Sequence, residues 1–458
     1  MHKYALLLLI TLLNSCSKYQ QDYPSSFYTP RTWHTKFQDS NVDTKNINYT
    51  KLWWEYFNDA KLKNIIKLAI DNNLDYKTAL ARLEYAQANN ISKTSILYPQ
   101  ISAQQGVQSS KNNAFITRKT LRADNASLAS NWEIDLFGTN HNLATASKHH
   151  LLSKTHHAQA VLISLVSEVI NLYIEYKVTA QILDLTKKIE KIEQIKLSFL
   201  KDKLKQGIVN EMSVNDQNTI VLSTKIEIQD LASLLNSLEF KIESLCNQSP
   251  GALYKSLAGT TLPSFDQKVI INSPIKIITT RPDIVAAKYE LLTATSVTKS
   301  SISKQFPSLN IQAAFGYQHT NLSHSEPIWS VTQNLVLPLL NFGKIKSEIN
   351  MNKASEKEAF FNYQKTVYKA LEDVESALSY YKNNLESYYD SKKILEAKKQ
   401  NLVLIKDQYA AKTTDYTNVI DTEKELYYSE ISNYKKSALA TQSLVRLSKS
   451  IGHKVVQS

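Results

Sequence analysis

The chain has 458 residues, with 54 Lys and Arg against 42 Asp and Glu, a formal charge of +12 at pH 7, and only 8 Gly and 10 Pro. So few turn formers exclude an all-β or loop-rich protein. The basic excess is scattered among Glu and Asp, as on a solvated helical surface, and no dense Lys/Arg run suggests a nucleic-acid partner. Beyond the N-terminus no run of 18 apolar residues occurs, so spanning helices are not expected, whereas spanning strands remain open.

Residues 1–15 read as a secretory signal: a short basic start, an apolar core over 4–13, and Asn14-Ser15 before Cys16. Leu13-Asn14-Ser15-Cys16 resembles a bacterial lipobox, which implies cleavage before Cys16 and acylation of its thiol, palmitate included. An ordinary signal with an incidental Cys16 is the alternative. Each buried CH₂ of an acyl chain adds about 0.8 kcal/mol of membrane affinity. Ser17 in place of Asp implies sorting to the outer membrane. Residues 16–50 are polar and read as an extended arm.

A first unit over 51–246 opens on a helical stretch, 52–90, interrupted near 71–75, with Trp53, Trp54 and Phe57 expected as packing groups. Strands are predicted at about 101–111 and 125–136. The second puts Ala126, Leu128, Trp132, Ile134 and Leu136 on one face and Ser127, Ala129, Asn131, Glu133 and Asp135 on the other. Carboxylates are costly inside a soluble sandwich but cheap facing a water-filled barrel. Helices follow at about 139–205 and 214–246, separated at Gly207. The latter carries a 3-4 seam, Val221, Thr224, Ile228, Leu231, Leu235, Leu238, Ile242 and Leu245. Cys246 is expected in the core.

Residues 247–281 lose periodicity and read as a linker. A second unit, 282–451, repeats the pattern: strands at about 309–319 and 328–338 joined by a polar turn at 320–327, then helices at about 344–410 and 417–451. Its seam runs Val367, Leu371, Val374, Leu378, Tyr381, Leu385 and Tyr388, and residues 452–458 form a tail. Four anchors place the units in register. Pro99 and Pro307 are 208 apart; Gly138 and Gly343, Val169 and Val374, and Asp216 and Asp421 are each 205 apart. The chain is therefore read as a tandem duplication.

Little here suggests catalysis. No phosphate loop, nucleophile elbow or Cys–His pairing is present, so no enzyme and no cofactor are expected. His149, His150, His156 and His157 share a helix, and spacings of seven bring pairs near one face; without accompanying Cys or carboxylates they read as a solvated face rather than a metal site. Asp216 and Asp421, at one repeat position beyond the two helical turns, are candidates for function.

The stretches LNSC, ALARLEYAQA with YPQIS, NWEIDLFG, SEVINLYIEY, TRPDIVAAKYELL with FPSLN, LPLLNFG and YTNVIDTEKELYYSE cover nearly the whole mature chain in order. Together they resemble TolC-family outer-membrane efflux factors of the lipoprotein branch that serves proton-driven, RND-type pumps. That resemblance implies a mainly α fold with a small membrane β part. It also implies a homotrimer with a 12-stranded β-barrel, and a periplasmic α-helical barrel whose closed tip meets a periplasmic adaptor and an inner-membrane pump. The expected site is lipid-anchored in the outer membrane of a Gram-negative bacterium. The family's gate carboxylate falls on Asp421, its basic neighbour on Lys424 and its apolar constriction on Thr417, a departure. Its turn glycine falls on Gly207, but the second copy has Lys412, so a different second turn is expected. The expected function is a passive exit duct; a non-spanning periplasmic scaffold or adaptor lipoprotein, or a type I secretion duct, are the alternatives.

Overall fold

The computed structural model describes residues 29–35, 42–43, 52–111, 120–265, 269–270, 273–321 and 323–452. Cys16 lies outside the described residues. The labelled elements are α1 (Ala60–Asn72), α2 (Leu74–Ser95), β1 (Gln100–Lys111), β2 (Thr120–Ile134), α3 (Thr139–Lys205), α4 (Glu211–Leu245), α5 (Pro282–Ser303), β3 (Ser308–Thr320), β4 (Ser323–Val336), α6 (Lys344–Ala410) and α7 (Tyr416–Ile451). The fold is mainly α with one small antiparallel sheet, the class read from the sequence. The chain divides into two compact units. Among the described residues one lies within 82–155 and 286–366, the other within 29–81, 156–285 and 367–452.

In the first unit the two hairpins lie side by side in the order β1-β2-β3-β4, all antiparallel. The contact between repeats is β2 with β3, from Ala123 opposite Thr320 to Ile134 opposite Leu309. The polar residues at 323–327 are strand rather than turn: Pro327 stands opposite Tyr317 and Glu326 opposite Gln318. The hairpin is longer than its apolar band, and composition alone cannot separate a polar strand end from a turn. β2 is likewise longer than expected and begins at Thr120.

Beneath the sheet, α5 packs by hydroxyls. Ser303 and Ser300 donate to the carbonyls of Phe137 and Thr139 at 2.7 and 2.9 Å, and Thr295 donates to the buried Glu356 at 2.9 Å. Phe137 stacks on Phe306, centroids 5.0 Å apart. Gly138 and Gly343 both turn at positive φ, 83° and 87°, conformations that glycine takes without strain.

In the second unit Trp53, Trp54, Phe57, Leu62, Ile65 and Ile66 pack on Val166, Val169, Ile170, Tyr173 and Ile174 of α3. Each Val, Leu, Ile or Phe among them contributes about 1.5–3 kcal/mol on burial. Asp59 caps α1, accepting from the backbone of Lys61 and Leu62, and also accepts the Tyr173 hydroxyl at 2.8 Å. Lys177 is buried with its ammonium on the carbonyls of Leu257, Ala258 and Gly259; burial pulls its pKa down. Cys246 is fully buried, and burial, helped by the charge of Glu243, pushes its thiol up to about 11. A second cluster holds Val374, Ala377, Leu378, Leu444, Leu447 and Ile451. One 18-residue window of α3 reaches a mean hydropathy of 1.4, so by composition a helix long and apolar enough to span exists after all; 56% of that window is buried, which fits a core helix.

Candidate functional site: the sheet and the helix-turn cluster

The register joins four separate alternations into two continuous faces. Ile101, Ser130, Ala313 and Val331 stand in one row, and Ala103, Leu128, Phe315 and Trp329 in the next. The opposite face carries Gln104, Ser127, Gly316 and Ile328 in one row, and Ser102, Ala129, Ala314 and Ser330 in another. Further along it, Asn131, Gln312 and Thr332 align, followed by Glu133, Asn310 and Asn334. One side is therefore largely apolar and the other largely neutral amide and hydroxyl. Within this chain Leu128, Phe315 and Trp329 are 57%, 58% and 77% exposed. Apolar side chains at that density need a cover, either lipid or protein. Both outer strands, β1 and β4, also present unpaired backbone edges within this chain. Open edges are not tolerated in a hydrocarbon layer.

The two turns that separate the long helices have one geometry, contrary to the expectation from Lys412. Gly207 has φ 71° and Lys412 φ 59°. At the first turn Gly207 N–H donates to the Leu204 carbonyl and Ile208 N–H to that of Lys203. At the second Lys412 N–H donates to that of Tyr409 and Thr413 N–H to that of Gln408. Both are Schellman caps, and the second places a lysine in the left-handed position. Three residues on, Asn210 and Asp415 cap the following helices.

Beyond the turns lies a charged cluster. Asp421 pairs with Lys196 of α3 at 2.5 Å, and Lys424 pairs with Glu193 at 3.0 Å while standing 3.8 Å from Asp421. Lys424 is thus not the main partner of Asp421. Its own main partner, Glu193, is only 1% exposed and also accepts the amide of buried Gln217. Burial would lower the pKa of Lys424, but the hydrogen bond and charge of Glu193, with Asp421, outweigh it and raise the pKa. Nearer the turn Lys203 and Asp415 pair at 2.7 Å, and that hydrogen bond holds the Asp415 carboxyl below its usual range. The pairs Lys196–Asp421, Lys203–Asp415 and Glu193–Lys424 run from α3 of the first repeat to α7 of the second or its capping residue, Gln217–Glu193 joins α4 to α3, and the Lys424–Asp421 contact lies within α7. Thr417 sits half-buried on α7, and its N–H is weakly held by Asp415 at 3.4 Å. Asp216 is exposed and makes no ion pair among the described residues; its neighbour Gln217 is the one turned inward.

Sequence reasoning missed Glu193, Lys196, Lys203, Asp415 and Gln217. The signal was present as two lysines seven apart on α3 and two aspartates six apart, one capping α7 and one on it, legible only once these helices are known to adjoin. The histidines are not clustered: His150 faces Glu290 at 3.5 Å and His149 lies by Ser296 at 3.4 Å. Among the described residues no group of three His, Cys, Asp or Glu could hold a metal ion.

The chain is 23% identical over 389 residues to the probable outer membrane lipoprotein SilC of Salmonella typhimurium, covering 82% of each chain. It is also 23% identical over 389 residues to the cation efflux system protein CusC of Escherichia coli K12, covering 83% of this chain and 84% of that one. The solved CmeC outer membrane channel of Campylobacter jejuni superposes with a TM-score of 0.81 at 20% identity, covering 94% of both chains. The description of the family "Outer membrane efflux protein" matches residues 65–245 and 275–453, one segment for each repeat, and the chain belongs to that family.

Proposed function

We propose that this chain is the outer-membrane exit duct of a tripartite efflux system. It is a passive homotrimeric channel that carries small molecules from an inner-membrane pump, through a periplasmic adaptor, to the outside. The observation that carries the reading is the four-stranded sheet with one apolar face, one polar face and two open edges. Such a sheet is stable in a bilayer only as part of a closed barrel. Three copies close twelve strands, with the apolar face on lipid and the amide face on water. The lumen so formed is lined mainly by amides and hydroxyls, with Glu133 and Glu326 as carboxylates on the same face. The duct carries out no reaction. Cys16 anchors the mature N-terminus by acylation.

In this reading the cluster beyond the turns is the resting latch. Asp421 is its principal carboxylate and Asp216 a secondary one, with Thr417 and Lys424 beside them. The latch begins within each chain, because Lys196 neutralises Asp421 before any neighbour is present. Single-channel conductance of the purified trimer tests it. Asp421→Ala raises conductance, and adding Asp216→Ala raises it further. An unchanged conductance in the double variant would remove the gate from this site.

A further inference from the structure

Three long helices, α3, α6 and α7, meet in the second unit, and each turns one side to the core and leaves the other bare. On α3, Val166, Val169, Ile170 and Tyr173 are packed, whereas Glu168 and Glu175 are exposed. On α7, Ala438 and Val445 are packed, whereas Leu439, Arg446 and Lys449 are exposed. On α6, Leu378 and Tyr381 are packed, whereas Tyr380 is exposed. The bare sides do not form a flat surface. They enclose a cleft of about 670 Å³ between the three helices. That volume is in the range of small-molecule sites.

Charges of both signs line this cleft. Glu168 and Glu175 stand two turns apart on α3, and Arg446 and Lys449 one turn apart on α7. None of the four makes an ion pair among the described residues. The Arg446 guanidinium lies over the Tyr380 ring, 4.8 Å from its centroid. Stacking of this kind fixes the plane of the guanidinium and leaves the N–H groups along its edge to meet an anion. Between the helices the Gln442 amide donates to the Asn171 carbonyl at 3.3 Å and ties α7 to α3. The Asn171 side chain lines the same cleft, and its Oδ1 is buried with no hydrogen-bond partner among the described residues. A buried acceptor left so is costly until a donor is brought to it.

We propose that this cleft binds a small zwitterion, its ammonium on Glu168, Glu175 and the Asn171 Oδ1, and its carboxylate on Arg446 and Lys449. A solute with one sign of charge satisfies one wall and is opposed by the other, so the mixed walls select against it. The two walls belong to adjacent helices, whose axes run about 8–10 Å apart. The ligand class is therefore a molecule with its charges at opposite ends, not an α-amino acid, whose two charges share one carbon. The placement of the site inside the channel rests on the duct reading. Arg446 follows Asp421 by 25 residues on α7. That is close to seven full turns at about 3.6 residues each, so both lie on one side of the helix. If Asp421 faces the channel axis, the cleft opens on the interior of the duct, and cargo passes it on the way out. Binding there must be weak enough to release what it holds.

Three fluorescent probes of one size test the site on the purified full-length protein in detergent. Nα-dansyl-lysine carries a carboxylate and an ammonium at opposite ends, dansylcadaverine only the ammonium, and Nα-dansyl-norleucine only the carboxylate. Saturable binding of dansyl-lysine is expected, with each single-charge probe weaker by about tenfold or more, since a hydrogen bond to a charged group is lost. Glu168→Gln with Glu175→Gln is expected to bring dansyl-lysine down to the level of dansyl-norleucine and to leave the latter unchanged. Arg446→Gln with Lys449→Gln is expected to bring it down to the level of dansylcadaverine. All four side chains are exposed, so these changes leave the core intact, and uptake by micelles is the same for parent and variants. Equal affinity for the three probes, or dansyl-lysine binding unchanged in both double variants, would overturn the site. Single-channel recording separates it from the duct reading. In a conducting channel dansyl-lysine is expected to produce brief current blocks that both double variants lose. A conducting channel that binds the probe without blocks would overturn the placement of the cleft inside the duct. A protein that binds the probe and conducts no current would overturn the duct reading and leave the zwitterion site standing.

Discussion

Lys412 holds, with a side chain, the backbone conformation that Gly207 takes without one. For an L-residue the left-handed region costs roughly 1–2 kcal/mol. Nothing lies within 4 Å of a Cβ built on Gly207, so a side chain there pays only in conformation. Lys412→Gly is therefore expected to raise stability by up to about 1 kcal/mol, less some chain entropy gained by the unfolded state, and Gly207→Lys to lower it similarly. Denaturant unfolding of the solubilised protein measures both. If the pair shift stability in the same direction, the shared Schellman geometry is not what governs these turns. The sequence shows the repeat position at once. It does not show that the second turn keeps its shape, because the surrounding hydrogen bonds, donated by Lys412 and Thr413, can hold a costly φ in place.

Among the elements, the sheet was the most legible and the most incompletely so. Alternation in each strand gave the two faces, since side chains two apart share a side. It could not give the pairing of β2 with β3, a contact between residues nearly 200 apart in the chain that no local period encodes. One residue marks that seam. A Cβ on Gly316 would lie 2.2 Å from the Ala126 carbonyl oxygen and 2.6 Å from the Ser127 Cα, both backbone atoms that cannot move aside alone. A Cβ on Gly106 would meet only the Asn125 Oδ1 at 2.6 Å, the end of a side chain that can rotate. Gly316→Ala is expected to open the β2–β3 ladder and reduce folded protein in the outer membrane severalfold. Gly106→Ala should leave it near the parent level. Heat-modifiable migration on gels reads the difference, and equal yields would mean that the ladder yields easily at Gly316.

For the whole molecule the two faces must meet different solvents. Ile311 belongs to the apolar row and Gln312 to the polar one. A charge on the lipid side near the bilayer midplane costs about 2–4 kcal/mol, whereas a lumen-facing charge is solvated. Ile311→Lys is thus expected to block membrane assembly, and Gln312→Lys to assemble normally with altered ion selectivity in planar bilayers. Equal tolerance at 311 and 312 would argue for a sheet with water on both sides, as in a periplasmic scaffold.

The sequence by itself determined the class of the fold, the duplication and its register, the two-faced strands and the long helices. Each of these is written in a local period or a fixed offset: 2 for strands, 3.6 for helices, 205 or 208 for the repeat. Only the tertiary structure decided that β2 adjoins β3, that the lysine turn copies the glycine turn, and that Asp421 meets Lys196 while Lys424 meets the buried Glu193. Those facts depend on which helix face lies against which. A charged residue on an amphipathic helix reads the same whether its partner is water or a carboxylate some 200 residues away.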